Sequence, residues 1–307
     1  MSANLFRYWD YPVLKYMDGM SQAIRRLKDL FHETVSARQT CAATRDPPAR
    51  MGVGTFLDIM EARVAMGEGR DAGGAGKDLF DQKRLIDNLL TAFLAGTDTT
   101  GIALVWMLQQ LALDSKLQAE CANEAMAVNI EDADESEILA RLPTIRSLYW
   151  EVNRLFGAAG FLVFEPVEGK TVTLRGRKLL PPSEGGRIAI FTMLTYCNST
   201  KEAGELAGIS DPKKFDARRW IQPDRTVKHP PADAYFSFGH GLRTCPGRQL
   251  SHLSATVCVA TILRAFTLSM PSDHPRVEKI TKFTERPDQE IRLLLTPRSA
   301  DASDARR

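Results

Sequence analysis

Paired cysteines, basic tracts and an apolar leader are all missing from this 307-residue sequence. Its five cysteines, Cys41, Cys121, Cys197, Cys245 and Cys258, are odd in number, widely spaced and form no C-x-x-C pair. That argues against a disulfide framework and a structural zinc site, and points to a reducing or cytosol-facing compartment. No block of Lys and Arg occurs, the net charge is only +2, and aromatics make up 8%. A nucleic-acid partner is therefore not expected. The first residues, "MSANLFRYWDYPVLKYMDG", lack an apolar core long enough for a signal peptide or membrane anchor. Arg7, Asp10, Lys15 and Asp18 interrupt them. No internal repeat is present.

What is present is an ordinary globular composition, 44% hydrophobic and 25% charged, in a chain long enough to bury a sizeable core. Leu14, Met17, Met20, Ile24, Leu27, Leu30 and Phe31 recur at helical spacing and predict an amphipathic helix over 12–38. A shorter helix is expected near 56–65, then a loop marked by Gly67, Gly69, Gly73, Gly74 and Gly76. The longest apolar segment, 85–114, would form a helix about 45 Å long. It is apolar nearly all round, so burial is expected. A membrane span is disfavoured by Asp87, Asn88, Thr97, Asp98, Thr99 and Thr100.

The acidic run "EDADESE" reads as a solvated helix start, and "LARLPTIRSLYWEVNRLF" as a helix. Strands are expected in "GFLVFEP", "KTVTLRG" and "GRIAIFTML", with a last one in "EIRLLLTP". Turns and short helix fill "TKEAGELAGISDPKKFDARRW", and "RQLSHLSATVCVATILRAF" is another long helix. The order is mainly α with a small β region, not an alternating βαβ pattern. The tail, 297–307, is expected to be disordered.

One cysteine stands apart. Cys245 lies among glycines in "FSFGHGLRTCPGRQL", just ahead of the long helix. As a nucleophile it would need a base such as His240 and a third orienting group, and none is evident. As a zinc ligand it has no companion at the usual spacing. As the single protein ligand of a heme iron it suffices, because the porphyrin supplies four donors. Gly241 and Gly247 would then let backbone approach the flat macrocycle, and Arg243 would neutralise a propionate. A structural cysteine in a Gly-rich turn is the remaining alternative.

"FGHGLRTCPG", 238–247, resembles the signature F-x-x-G-x-R-x-C-x-G of the cytochrome P450 family at every fixed position. The resemblance makes Cys245 the axial ligand of heme b, sets Phe238 by the sulfur and turns Arg243 toward a propionate. "EVNR" is similar to the family's E-x-x-R, and "DPKKFDARRW" to its P-x-x-F-x-P-x-R-F/W segment, with Ala217 where proline is common. By that likeness Glu151, Arg154 and Arg219 form a structural network behind the heme. "AGTDTT", 95–100, resembles the oxygen-binding segment. There Gly96 lets the helix approach the heme, Thr99 hydrogen-bonds the oxygen and Asp98 relays protons.

Residues 1–296 would thus be part of a cytochrome P450 heme domain whose N-terminal part has no counterpart here. No basic residue lies between Arg154 and Lys170, which leaves Arg243 as the main propionate partner. The implied function is a monooxygenase that inserts one oxygen atom from O2 into an apolar small molecule. Electrons would come from NADPH through a cytochrome P450 reductase or similar donor. The motifs are loosely similar to those of fungal members of secondary-metabolite pathways. The expected location is the cytoplasm, or the cytosolic face of the endoplasmic reticulum by peripheral attachment. The alternative is an inactive, truncated remnant that binds heme weakly or not at all.

Overall fold

Helix α1, Asp18–Ala42, falls where the apolar spacing sets it. The computed structural model describes residues 18–42, 82–164, 172–174, 176–179, 190–281 and 284–298. Residues 12–17, the helix expected near 56–65, the glycine loop and the tail from 299 lie outside them. The chain divides into two units, 1–95 and 96–307. In the first, α1 packs on the opening turns of α2, Gln82–Leu113. Val35, Leu85 and Ile86 are buried together, with Phe31 and Leu89 against them. The half-exposed Lys28–Asp87 pair, 3.1 Å apart, adds at most ~1 kcal/mol.

The second unit holds the main core. The later turns of α2 bury Ile102, Ala103, Trp106, Met107 and Leu111, a helical stripe. Its middle does not follow the expectation of all-round burial. Ala95, Gly96, Thr97 and Asp98 are exposed, because the polar run interrupts the apolar stripe. By length and mean hydropathy, 1.3, Leu85–Leu113 would suffice to cross a membrane. Its later turns place a buried stripe, Ile102 to Leu111, in the core.

Helix α3, Ser115–Met126, begins where the Asp114 carboxylate accepts the Leu117 N–H. Asp134 caps α4, Glu135–Arg141, in the same way. The helix expected across 139–156 is two helices. Pro143 opens α5, Pro143–Phe156, and lacks the N–H that would continue α4. Every residue of α5 from Ser147 to Arg154 is buried. Short helices α6, Leu194–Asn198, and α7, Lys201–Ala207, precede the long α8, Arg248–Ala265. Helix α8 packs on α3 and α5.

Among the described residues, the β region is four antiparallel pairs. Strand β1, Phe161–Phe164, pairs with β4, Ile190–Met193, and β2, Val172–Leu174, with β3, Arg177–Leu179. Strand β5, Phe266–Ser269, pairs with β8, Leu294–Pro297, and β6, Lys279–Thr281, with β7, Glu285–Pro287. The buried Gln118 amide joins three elements. Its Nε2 donates to Leu111 O and Leu268 O, each 2.9 Å away, and Leu268 N–H returns a bond to Oε1 at 2.8 Å.

One core group makes stability depend on acidity. His252 of α8 is buried between Tyr149 and Trp150, with ring centroids 4.9 and 4.8 Å away. Burial, reinforced by Arg146, His229 and Arg248, pushes its imidazole down to about 3. The folded chain keeps it neutral, whereas the unfolded chain takes a proton below about 6.5. Its contribution is therefore complete above that value. It declines by up to ~1.4 kcal/mol per pH unit from 6.5 to 3. Urea midpoints measured from pH 7 to pH 4 should fall, and more shallowly for His252→Leu. An unchanged slope in that variant would assign the acid sensitivity elsewhere.

Candidate functional site

The loop before α8 is anchored at its start by side chains of neighbouring helices. Asn198 of α6 accepts the Phe236 N–H at 2.6 Å and donates to Ser237 Oγ at 2.8 Å. Ser237 donates to Asn153 O of α5 at 2.6 Å. The loop then turns twice through the left-handed region, at Gly239 (φ 70°) and Gly241 (φ 63°). A side chain at either would be strained. At Gly239 it would also press on Leu162 Cδ1, 3.3 Å from an added Cβ. Cys245 N–H donates to Phe238 O at 2.8 Å and closes the turn.

Phe238 is the loop's foot in the core. It stacks on Tyr149 and Tyr235, each with centroids 6.4 Å apart, and meets Trp150 edge-on at 6.0 Å. The Arg248 guanidinium lies over Trp150 at 5.1 Å and Phe238 at 6.0 Å. Phe238 thus fixes the loop from below. Cys245, Arg243 and Gly241 face outward and are exposed, with Gly247 half-buried. Gly247 caps α8, whose free N–H end favours negative charge beside it.

The polar run of α2 lies near the same helix. Thr100 donates to Ser251 Oγ of α8 at 3.2 Å. Asp98 is half-exposed, and its Oδ2 lies 3.4 Å from Arg286 Nη2 of β7. Arg286 also donates to Thr284 Oγ1 at 2.6 Å. Thr99 is half-buried. A Cβ added at Gly96 would meet nothing within 4 Å, so protein packing does not demand glycine there.

Glu151, Arg154 and Arg219 come together in one buried network. Arg154 grips Glu151 through two nitrogens, at 2.9 and 2.8 Å, with 1% and 0% of the two side chains exposed. Its remaining N–H groups reach main-chain carbonyls of Asn198 (3.2 Å), Pro212 and Lys214 (3.1 Å). Arg219 Nε donates to Glu151 Oε1 at 3.1 Å, as does the Asp216 N–H at 3.0 Å. The network ties α5 to the segment before the Cys loop and does not reach the loop's exposed side.

These residues fit a heme. Among the described residues, no group of three or more His, Cys, Asp or Glu side chains can hold a metal ion. A metal at Cys245 would have to bring its other donors, as a porphyrin does. The thiol is exposed, glycines flank it, and Gly247 sets no side chain between it and a planar ligand. His240 Nε2 is buried without a hydrogen-bond partner in the same loop, and an anionic group would satisfy it. Sequence reading missed Ser251, Tyr149 and Arg286. A serine in an apolar helix and an arginine in a short hairpin carry no local signal of the residues they meet.

The cytochrome P450 family model matches residues 1–294. The chain is 27% identical over 285 residues to cytochrome P450 monooxygenase ptmK of Penicillium ochrochloron, covering 89% of this chain and 50% of that protein. It is 27% identical over 232 residues to the mitochondrial cholesterol side-chain cleavage enzyme of Capra hircus, covering 74% and 42%. The chain thus spans about half the length of the curated relatives it matches. Among solved structures, the cytochrome P450 CYP102L1 superposes with a TM-score of 0.69 at 19% identity. That match covers 95% of this chain and 60% of the other. The retinoic-acid-bound cyanobacterial CYP120A1 gives 0.68 at 20% identity, covering 90% and 57%.

Proposed function

This chain belongs to the cytochrome P450 family, and from that premise we propose that it is a heme-thiolate monooxygenase acting on an apolar small molecule. The observation that carries the reading is Cys245. It is an exposed thiol in a glycine loop braced by Phe238, and among the described residues no group of three or more His, Cys, Asp or Glu could hold a metal on its own. Cys245 would hold the iron of heme b, Gly241 and Gly247 would admit the macrocycle, and Arg243 would pair with a propionate. When bound, the heme supplies the oxygen chemistry and the thiolate pushes electron density toward it.

The chain's own task is to deliver protons and exclude water. Cleaving O2 consumes two protons, and an apolar pocket offers none. Asp98 and Thr99 stand on the polar run of α2, with Gly96 one turn earlier allowing close approach. Asp98 would pass the proton and Thr99 would orient its acceptor. Glu151, Arg154 and Arg219 serve the scaffold and not the chemistry. Residues 1–296 are read as part of one heme domain, with electrons coming from NADPH through a reductase. Its setting is read as the cytoplasm or the cytosolic face of the endoplasmic reticulum. A substrate in secondary metabolism is the reading that follows from the loose resemblance of the motifs to fungal biosynthetic members, and one matched relative is a fungal cytochrome P450 monooxygenase.

The Thr99→Ala variant tests the proton role. Heme content should stay near that of the parent chain, while peroxide formed per nicotinamide consumed rises several-fold. Unchanged coupling would reduce Thr99 to a packing residue.

A second reading rests on the absence of basic residues between Arg154 and Lys170. In it, the chain binds heme weakly or not at all and does not turn over. The reduced carbon monoxide difference spectrum separates the two. A thiolate-type band supports the enzyme, and the lack of one supports the second reading.

A further inference from the structure

We propose that Ser251 is a positioning residue, the hydroxyl hub that sets the roll of α2 and thereby aims Thr99. This rests on the monooxygenase reading above. Ser251 Oγ receives two hydroxyl donors from different helices: Thr100 of α2 at 3.2 Å and Tyr149 of α5 at 3.1 Å. A serine oxygen has two lone pairs, and both are used. Ser251 itself is fixed in the first turn of α8, where its N–H donates to Gly247 O at 2.8 Å. Gly247 is two residues from Cys245. One oxygen therefore measures the position of α2 against the loop that carries the thiol.

Tyr149 makes the hub rigid. Its ring is fully buried and touches both Phe238 of the Cys loop and His252 of α8. Burial pushes its phenol far above the ordinary range, so the group stays protonated and donates to Ser251. The acceptor is thus oriented by a donor that cannot rotate away.

The geometry of a helix does the rest. Successive residues on α2 point about 100° apart. With Thr100 held against α8, the directions of Thr99 and Asp98 are settled, and neither can swing toward α8. Asp98 is met from another side by Arg286 of β7. Gly96, Thr97 and Asp98 are exposed, and the next turn of the same helix packs Ile102 and Ala103 into the core. The Thr100–Ser251 bond adds a fixed direction, toward α8, to that packing.

The test uses the full chain with three variants. Ser251→Ala removes the acceptor, Thr100→Val removes one donor at constant shape, and Ser251→Thr keeps the hydroxyl. Amide hydrogen exchange over residues 97–101 needs no heme. It should quicken at least several-fold in the first two variants and stay near the parent rate in the third. In heme-loaded protein the first two should keep the thiolate-type carbon monoxide band yet form several-fold more peroxide per nicotinamide. Adding Thr99→Ala to Ser251→Ala should raise peroxide no further, since both changes disable the same group. Parent-like exchange in Ser251→Ala would overturn the tether whether or not heme binds. Faster exchange with unchanged coupling in a heme-loaded variant would overturn the aiming role. A parent chain that shows no thiolate-type band refutes the monooxygenase reading instead, and the exchange result then decides the tether alone.

Discussion

Cys245→Ala should abolish the thiolate-type heme spectrum while leaving the fold intact. The side chain is exposed, so its loss removes almost no buried surface. The turn does not depend on it either, because the bond that closes the loop is made by the main-chain N–H of residue 245 to Phe238 O. Phe238 keeps its contacts with Tyr149, Trp150 and Tyr235. The expected outcome is circular dichroism and a urea midpoint like those of the parent chain compared without heme, with the thiolate-type reduced carbon monoxide band gone. Cys245→His tests the softness of the donor. Any heme it retains should lack the thiolate signature, because nitrogen replaces sulfur. A parent-like band in the alanine variant would show that another cysteine holds the iron.

The second large effect lies in the buried pair. Glu151→Ala strands the Arg154 guanidinium, which has 1% of its side chain exposed. Arg219 and the Asp216 N–H lose their common acceptor in the same step. Breaking a buried pair by removing one partner costs about 3–5 kcal/mol. A domain is stable by only about 5–15 kcal/mol, so a large share of the margin is lost. Loss of soluble folded chain, or a urea midpoint lowered by a third or more, is the expected result. Arg154→Lys should fare little better. A lysine ammonium cannot grip both carboxylate oxygens and still reach three carbonyls. A midpoint within error of the parent for either variant would mean that the network contributes nothing net.

The parts legible in the sequence are those whose chemistry is local. The Cys loop is one, because its glycines, arginine and thiol lie within ten residues. The Glu151–Arg154 pairing is another, since three residues separate the partners and a helix brings them to one face. The break between α4 and α5 is equally local, since Pro143 marks it, yet the apolar periodicity across 139–156 reads as one helix and hides it. Other features are not written in side chains at all. Arg154 binds main-chain oxygens at 198, 212 and 214, and a carbonyl looks the same in every residue. Strands β5, β6 and β7 are three or four residues long and sit in mixed polar sequence, too short for an alternating pattern to show. The meeting of Thr100, Tyr149 and Ser251 depends on how three helices cross, which no single helix specifies.

The Arg154 contacts bear on how this chain drifts over generations. A side chain that reads side chains locks several positions at once, and each partner must change in step. Arg154 instead reads backbone at Pro212 and Lys214, so natural variation there is filtered only for shape. Ala217 is buried, and its turn is closed by the Arg219 N–H on Asp216 O at 3.1 Å without help from a proline ring. What Arg154 requires of 212 and 214 is the course of the main chain, so a change of side chain there that keeps that course leaves its contacts intact.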